Sequence, residues 1–209
     1  MTAAVILAGG NANRMGGRDK AFLVLGGRPL IAHVRARLNL QAGPLAISAN
    51  GDPVRFARYG LPVLADAPPG GAGPLGGILA GLDWAAEAGE SRLLTAAVDT
   101  PFLPDDLLRR LSEACRDRGA DLALAATFGP RGAERLHPTF GLWPTALRTA
   151  LRAALAGRAA DAPAPSIRDF AARHGAVTAL FPSGPPDPFF NINRPADLAT
   201  APAHAANFA

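Results

Sequence analysis

The chain has 209 residues, 49% of them hydrophobic, with 23 glycines and 20 prolines; that is enough for one well-packed core and too little for two independent domains. Its formal charge of +4 and pI near 10.5 come from arginines scattered along the chain, with no basic block and no interleaved aromatics, so no nucleic-acid partner is expected and a small phosphorylated one explains the excess as well. The single cysteine, Cys115, excludes an internal disulfide, no run approaches the ~18 apolar residues of a membrane span, and no basic segment precedes Ala3–Ala8 as in an export signal; a cytoplasmic protein without a membrane partner is expected.

In chain order, Thr2 to Leu7 is a short apolar run broken by Gly9-Gly10, which predicts a buried strand feeding a loop. Pro29 opens a predicted helix whose Leu30, Ile31, Val34 and Leu38 share one face. Two strands follow, Leu45 to Ser48 ended by Asn50-Gly51 and Leu61 to Ala65 ended by Asp66. A second helix starts at Pro74 with the stripe Leu75, Ile78, Leu79 and Leu82, and the strand Leu93 to Val98 then stops at Asp99. Helix Pro104 to Arg118 and strand Asp121 to Thr127 continue the alternation. Beyond them come a Gly/Arg loop, a strand His137 to Trp143, an Ala/Pro-rich linker over 157–165, a strand Ala176 to Phe181 and a closing helix from Pro195. Alternating strands and helices predict a three-layer α/β/α sandwich around a mostly parallel, Rossmann-like sheet, with 128–193 as an elaboration covering one side of the site.

Open α/β sheets bind ligands beyond the carboxyl ends of their strands, which directs attention to the loop 8–20, Asn50, Asp66, the loop 67–77 and Asp99. The loop carries Gly9, Gly10, Gly16 and Gly17, whose backbone N–H groups can approach phosphate oxygens unobstructed, with Arg14 and Lys20 as charges for the same anion. It lacks the Gly-Lys-Ser/Thr ending of a P-loop, and a glycine-rich surface turn with solvated cations is the plain alternative. Lys20 is the chain's one lysine among 20 arginines, a compact point charge where a planar fork would not fit. Asp99 ends an apolar strand, a costly place for a dry, unpaired carboxylate; magnesium, bound through one or two carboxylates and substrate phosphates, would satisfy it, as would a turn ahead of Thr100-Pro101. Asp66 has the same placement, and an acceptor there would suit the N1–H and amino group of guanine. Gly71 to Gly76 fits G-x-G-x-x-G and offers a dehydrogenase reading, but 67–70 separate strand from glycines and that reading leaves the loop 8–20 without a role. The four histidines show no zinc spacing with the cysteine, and no G-x-S-x-G elbow marks a serine nucleophile.

At these residues the sequence resembles the molybdenum cofactor guanylyltransferases, within the wider nucleotidyltransferase group. The resemblance rests on Leu7-Ala8-Gly9-Gly10, Arg14-Met15-Gly16-Gly17, Asp19-Lys20, Asn50, Asp66, Gly73-Pro74-Leu75, Asp99-Thr100-Pro101, His137-Pro138-Thr139 and Asn191-Ile192-Asn193, in order over nearly the whole chain. It implies one nucleotidyltransferase domain, in which 1–127 bind the nucleotide and 128–209 form the acceptor side and closing helix. It implies that GTP and molybdopterin phosphate are joined with release of pyrophosphate. It places Leu7, Ala8, Gly9, Gly10, Lys20, Asn50, Asp66 and Asp99 on GTP, magnesium on Asp99, and His137, Asn191 and Asn193 toward the pterin, with Arg14, Lys20 and Asp99 as the catalytic set. Transient contact with proteins that deliver or accept the cofactor goes with such a role. Arg194 stands where the family's C-terminal motif usually has Thr, and it cannot cap the last helix as Thr would. A cytidylyl- or sugar-nucleotidyltransferase of the same fold and a non-catalytic nucleotide-binding module are the competing readings.

Overall fold

The computed structural model describes residues 2–9, 19–68, 72–129, 132–156, 165–184 and 187–205. Strand β1 (Ala3–Leu7) leads to a 3-10 turn at Lys20–Phe22 and a small hairpin, β2 (Val24–Leu25) and β3 (Arg28–Pro29). Then come α1 (Leu30–Asn39), β4 (Leu45–Ser48), a 3-10 segment Pro53–Tyr59, β5 (Val63–Leu64), α2 (Pro74–Glu87), β6 (Arg92–Ala97), α3 (Leu107–Asp117) and β7 (Ala123–Phe128). The chain continues with β8 (Glu134–Pro144), α4 (Arg148–Ala156), α5 (Ile167–Arg173), β9 (Val177–Phe181) and α6 (Pro195–Ala205).

Seven strands form one sheet in the order β5-β4-β1-β6-β8-β7-β9. All neighbours pair in parallel except β8, which runs antiparallel to both β6 and β7. Period-2 alternation sorts the core onto two faces. From β1, Ala4 and Ile6 pack with Ile31, Val34 and Leu38 of α1 and with Leu107, Leu111 and Cys115 of α3. Ala3, Val5 and Leu7 pack on the opposite face with Leu75, Ile78 and Leu82 of α2, Leu151 and Leu155 of α4, and Phe170 of α5. The expected α/β/α layering is therefore present.

Two features depart from the expectation. Residues 128–193 do not simply cover the site, because β8 and β9 enter the sheet itself. Helices α4 and α5 are short, with only Leu151 and Leu155, and Ile167, Phe170 and Ala171, buried, a stripe too brief to stand out among alanines. Of the linker expected over 157–165, only Pro165 lies within the described residues.

Strand β8 splits the sheet. It pairs with β6 only over Gly141 to Pro144. Against β7, the consecutive residues Leu124 and Ala125 face Gly141 and His137, so Pro138, Thr139 and Phe140 bulge out of register. Proline, with no N–H to give a ladder, is at home in such a bulge. Gly141 resumes the pairing where a Cβ would lie 2.7 Å from both Leu124 Cδ2 and Trp143 Nε1. The buried Thr95 hydroxyl accepts from Gly141 N–H at 3.1 Å and Trp143 Nε1–H at 3.2 Å, pinning the strand just before the gap opens. Beyond that point the carboxyl end of β6 has no β8 neighbour.

The segment after β9 returns to this gap. Phe189 is stacked on His137 at 4.2 Å and meets Phe140 and Phe181 edge-on at 5.0 and 5.3 Å. Ile192 is buried with Leu30 and Phe102, and its N–H donates to the Asp99 carbonyl at 2.8 Å. Arg194 does not cap α6. Asp197 does, its Oδ2 accepting from the N–H groups of Asn193 and Arg194 at 2.7 Å each, so the first turn is capped from inside the helix.

Candidate active site

A cleft of about 860 Å³ opens along the carboxyl ends of β1, β4, β5 and β6 and runs into the gap beside β8. Leu7, Ala8 and Gly9 from β1, Ser48 and Asn50 from β4, Asp66 after β5 and Asp99 after β6 all line it. This is the switch point of the sheet, where connections from β1 and β6 leave in opposite directions.

On one side, Asn50 and Asp66 form a fixed pair. Asn50 Nδ2 donates to Asp66 Oδ2 at 2.7 Å, and the Asp66 N–H donates to Asn50 Oδ1 at 3.0 Å. Asp66 Oδ1 is the nearest atom to a Cβ built on Gly9, at 3.9 Å, so the second oxygen faces the loop after β1. Asp19 and Arg55 join this pair to Lys20. Asp19 caps the 3-10 turn by accepting from Ala21 N–H at 2.9 Å, and Arg55 Nε donates to its other oxygen at 3.0 Å. Arg55 also donates to the carbonyls of Asn50 and Asp52 at 2.5 and 2.7 Å. Its guanidinium lies over the Phe56 ring at 4.7 Å.

At the centre, Lys20 Nζ sits 3.2 Å from Asp99 Oδ2 and donates to Asn193 Oδ1 at 2.6 Å. Thr100 Oγ donates to Asn191 Oδ1 at 2.5 Å, and lies 3.4 Å from Asp99 Oδ1. The side chains of Lys20 and Asp99 are 24% and 18% exposed, enough for both to meet a ligand. Asp99 stands as a single carboxylate; no group of three or more metal-ligating side chains occurs among the described residues. That donor set fits a magnesium ion that takes most of its ligands from phosphates and water, and does not fit an all-protein metal cage.

Residues 4–177 match the family model of the MobA-like NTP transferase domain. A molybdenum cofactor guanylyltransferase of Bradyrhizobium sp. is 50% identical over 204 residues, 97% of this chain and 92% of that protein. One from Cereibacter sphaeroides is 53% identical over 197 residues, 94% and 93% of the two chains. This chain belongs to the molybdenum cofactor guanylyltransferases. The solved structure of molybdopterin-guanine dinucleotide biosynthesis protein A from Archaeoglobus fulgidus, 23% identical, superposes with a TM-score of 0.72 over 99% of this chain and 100% of that one, which shows the shared fold.

Membership of this transferase family removes the dehydrogenase reading. The segment that suggested it opens α2, with Gly73 at φ +56° and Pro74 beginning the helix. No helix among the described residues is long and apolar enough to cross a membrane.

Of the residues singled out by sequence, Leu7, Ala8, Gly9, Lys20, Asn50, Asp66, Asp99 and Asn191 share the cleft. Asn193 reaches the same centre through Lys20. Gly10 and Arg14 lie outside the described residues. His137 is placed differently from the expectation. It is 8% exposed, its Nε2 is bonded to Thr127 Oγ at 2.9 Å, and burial, aided by the Arg135 charge, pushes its pKa down to about 4. It stands behind the wall of the cleft, and Thr139, lifted by the bulge, lines it instead.

Arg55 and Ser48 were missed by sequence reasoning, and Asp19 entered it only within the Asp19-Lys20 motif, with no role of its own. Asp19 and Arg55 are joined only by the fold, 36 positions apart. Ser48 closes an apolar strand and looks like its last core residue.

Proposed function

We propose that this chain transfers the guanylyl group of GTP to the terminal phosphate of molybdopterin, forming the guanine dinucleotide cofactor and releasing pyrophosphate. The observation that carries the reading is the meeting at Asp99. Lys20, from the nucleotide side, and the Asn191 to Asn193 segment, from the acceptor side, both converge on that one carboxylate or its neighbour Thr100. Names and high identity of the relatives support the same substrates. Within one domain, 1–127 hold the nucleotide, and 128–209 hold the acceptor.

In this reading the guanine lies by Asp66 and Asn50, and the triphosphate runs past Ala8, Gly9 and the glycine-rich loop, where Gly10 and Arg14 add an N–H and a charge. An oxygen of the pterin phosphate attacks the α-phosphorus of GTP; the new O–Pα bond forms as the Pα–O bond to the β-phosphate breaks, and both electrons leave with pyrophosphate. The nucleophile is already ionised at neutral pH, so no general base is required. Asp99 would hold magnesium, which supplies charge neutralisation to the phosphates when bound. Lys20, shared between Asp99 and Asn193, serves as a point charge for the transition state. Asn191 and Thr139 face the acceptor, and His137 supports that wall through Phe189. The alignment of two bound substrates supplies the rest. The setting is the cytoplasm, where the buried, unpaired Cys115 is compatible with reducing conditions, and delivery and acceptor proteins would meet the open mouth of the cleft.

The test is product identity. With molybdopterin, magnesium and GTP carrying label at the α-phosphorus, the label should appear in the pterin product, and with label at the γ-phosphorus it should appear in pyrophosphate. Label confined to GDP and free phosphate would overturn the reading in favour of hydrolysis.

A further inference from the structure

Four hydroxyl residues are almost fully buried: Ser48, Thr95, Thr100 and Thr127, at 1%, 0%, 0% and 4% exposure. Three are accounted for. Thr95 bonds Gly141 and Trp143, Thr100 bonds Asn191, and Thr127 bonds His137. The Ser48 hydroxyl has no hydrogen-bond partner among the described residues, although its backbone carbonyl accepts from Ala8 N–H at 2.8 Å. Its hydroxyl oxygen is not one of the dry, unpartnered polar atoms among the described residues, so it keeps contact with the cleft, where water or a ligand can meet it. Ser48 lines the nucleotide cleft with no protein partner for its hydroxyl among the described residues, which leaves that group free for a ligand.

Its surroundings are shaped for this. Alternation along β4 sends Leu45 and Ile47 to the α1 face and leaves Ser48 on the α2 side. There α2 presents two glycines in succession. A Cβ on Gly77 would lie 2.3 Å from Ser48 Oγ, and one on Gly76 would lie 3.1 and 3.2 Å from Asp66 Cβ and Cγ. Ser48 and Asp66 thus both pack against the first turn of α2 and line the same cleft. Asn50 occupies Asp66 Oδ2, while Asp66 Oδ1 accepts no hydrogen bond among the described residues.

The cleft therefore offers both an acceptor, Asp66 Oδ1, and a donor, Ser48 O–H, against the same turn of α2. Guanine presents the complementary pair on adjacent ring positions, N1–H and O6. Adenine and cytosine present the reverse order, a ring acceptor beside an amino donor, and an ionised carboxylate cannot donate to meet it. We propose that the Ser48 hydroxyl donates to O6 of guanine and, together with Asp66, selects guanine over adenine and cytosine. This rests on the assignment of GTP as the nucleotide.

The experiment measures kcat/KM of the full chain and of Ser48→Ala with GTP, 6-thio-GTP and ITP, molybdopterin being the acceptor. Sulfur is a poorer acceptor than O6, so the wild-type chain should prefer GTP to 6-thio-GTP. Ser48→Ala should lose about tenfold with GTP, chiefly in KM, and little with 6-thio-GTP, so that the preference collapses; the GTP to ITP ratio, which reports the amino group, should stay constant. Ser48→Cys keeps the shape, adds no room for the sulfur and weakens the donor. It should reduce the same preference, and it serves if Ser48→Ala fails to fold. Equal losses with all three nucleotides, or unchanged GTP kinetics, would overturn the Ser48 assignment while leaving guanylyl transfer standing. A wild-type chain that turns over CTP in preference to GTP would overturn both.

Discussion

On the nucleotide side of the cleft, Gly9, Asn50, Asp66 and Asp99 each stand two residues beyond the end of a parallel strand, after Leu7, Ser48, Leu64 and Ala97. The acceptor side has no such rule: Thr139 rides on a three-residue bulge of an antiparallel strand, and Asn191 and Asn193 arrive on a segment that has left the sheet. The first wall is local chemistry repeated strand by strand. The second is assembled from long-range contacts, 91 positions from Thr100 to Asn191 and 173 from Lys20 to Asn193. Damage to the first should therefore remove chemistry, and damage to the second should misplace one substrate.

The largest effect is expected where the walls meet. Asp99→Ala removes the carboxylate that faces Lys20 and, with it, the proposed magnesium ligand. Turnover should fall by about 10³-fold or more, as for loss of a charge-stabilising group at a reacting phosphate, with the circular dichroism spectrum retained. A folded Asp99→Ala protein with full, magnesium-dependent activity would break the account of both walls at once.

A smaller and one-sided effect is expected from Thr100→Val, which keeps the shape but removes the bond to Asn191. The KM for molybdopterin should rise about tenfold, the value of one buried hydrogen bond, with the KM for GTP nearly constant. Equal changes in both constants would show that the two walls are not separable.

The smallest effect concerns stability. The unfolded chain takes up a proton on His137 near pH ~6.5, while the folded protein resists it down to about 4, the buried ring being held neutral. The stability that neutral His137 brings is complete above pH ~6.5 and is lost as pH falls toward 4, on the order of 3 kcal/mol. His137→Gln can still reach Thr127 but does not titrate. It should be less stable near neutrality, having lost the ring stacked on Phe189, and should show a shallower fall in midpoint between pH 6.5 and 4 in urea denaturation. An unchanged slope would place His137 outside the folded-state charge balance and return it to the acceptor surface.

The same contrast sets what was legible in the sequence. Apolar runs that stop at a glycine, Asn50, Asp66 or Asp99 mark both the strand and the group beyond its end, so the parallel half and its ligand-facing residues follow from one pattern. The antiparallel course of β8 leaves no such mark, because a bulge at Pro138 and a parallel strand end look alike in one dimension. Asn191-Ile192-Asn193 was legible only through the resemblance, and what Phe189 and Ile192 pack against was not legible at all. His137 drew attention as a polar residue beside a loop, whereas a histidine between Thr127 and Phe189 is a wall support with one bonded nitrogen. Ser48 was hidden for the opposite reason: it ends an apolar strand, and only the close approach of Gly77 and the lack of a partner set it apart.

Guanylyl transfer itself is most directly tested by pyrophosphate release from the intact chain with magnesium, comparing GTP and CTP in the presence and absence of molybdopterin. The account predicts release with GTP that depends on molybdopterin, and at least tenfold less with CTP. Release that favours CTP, or that proceeds equally without molybdopterin, would contradict it.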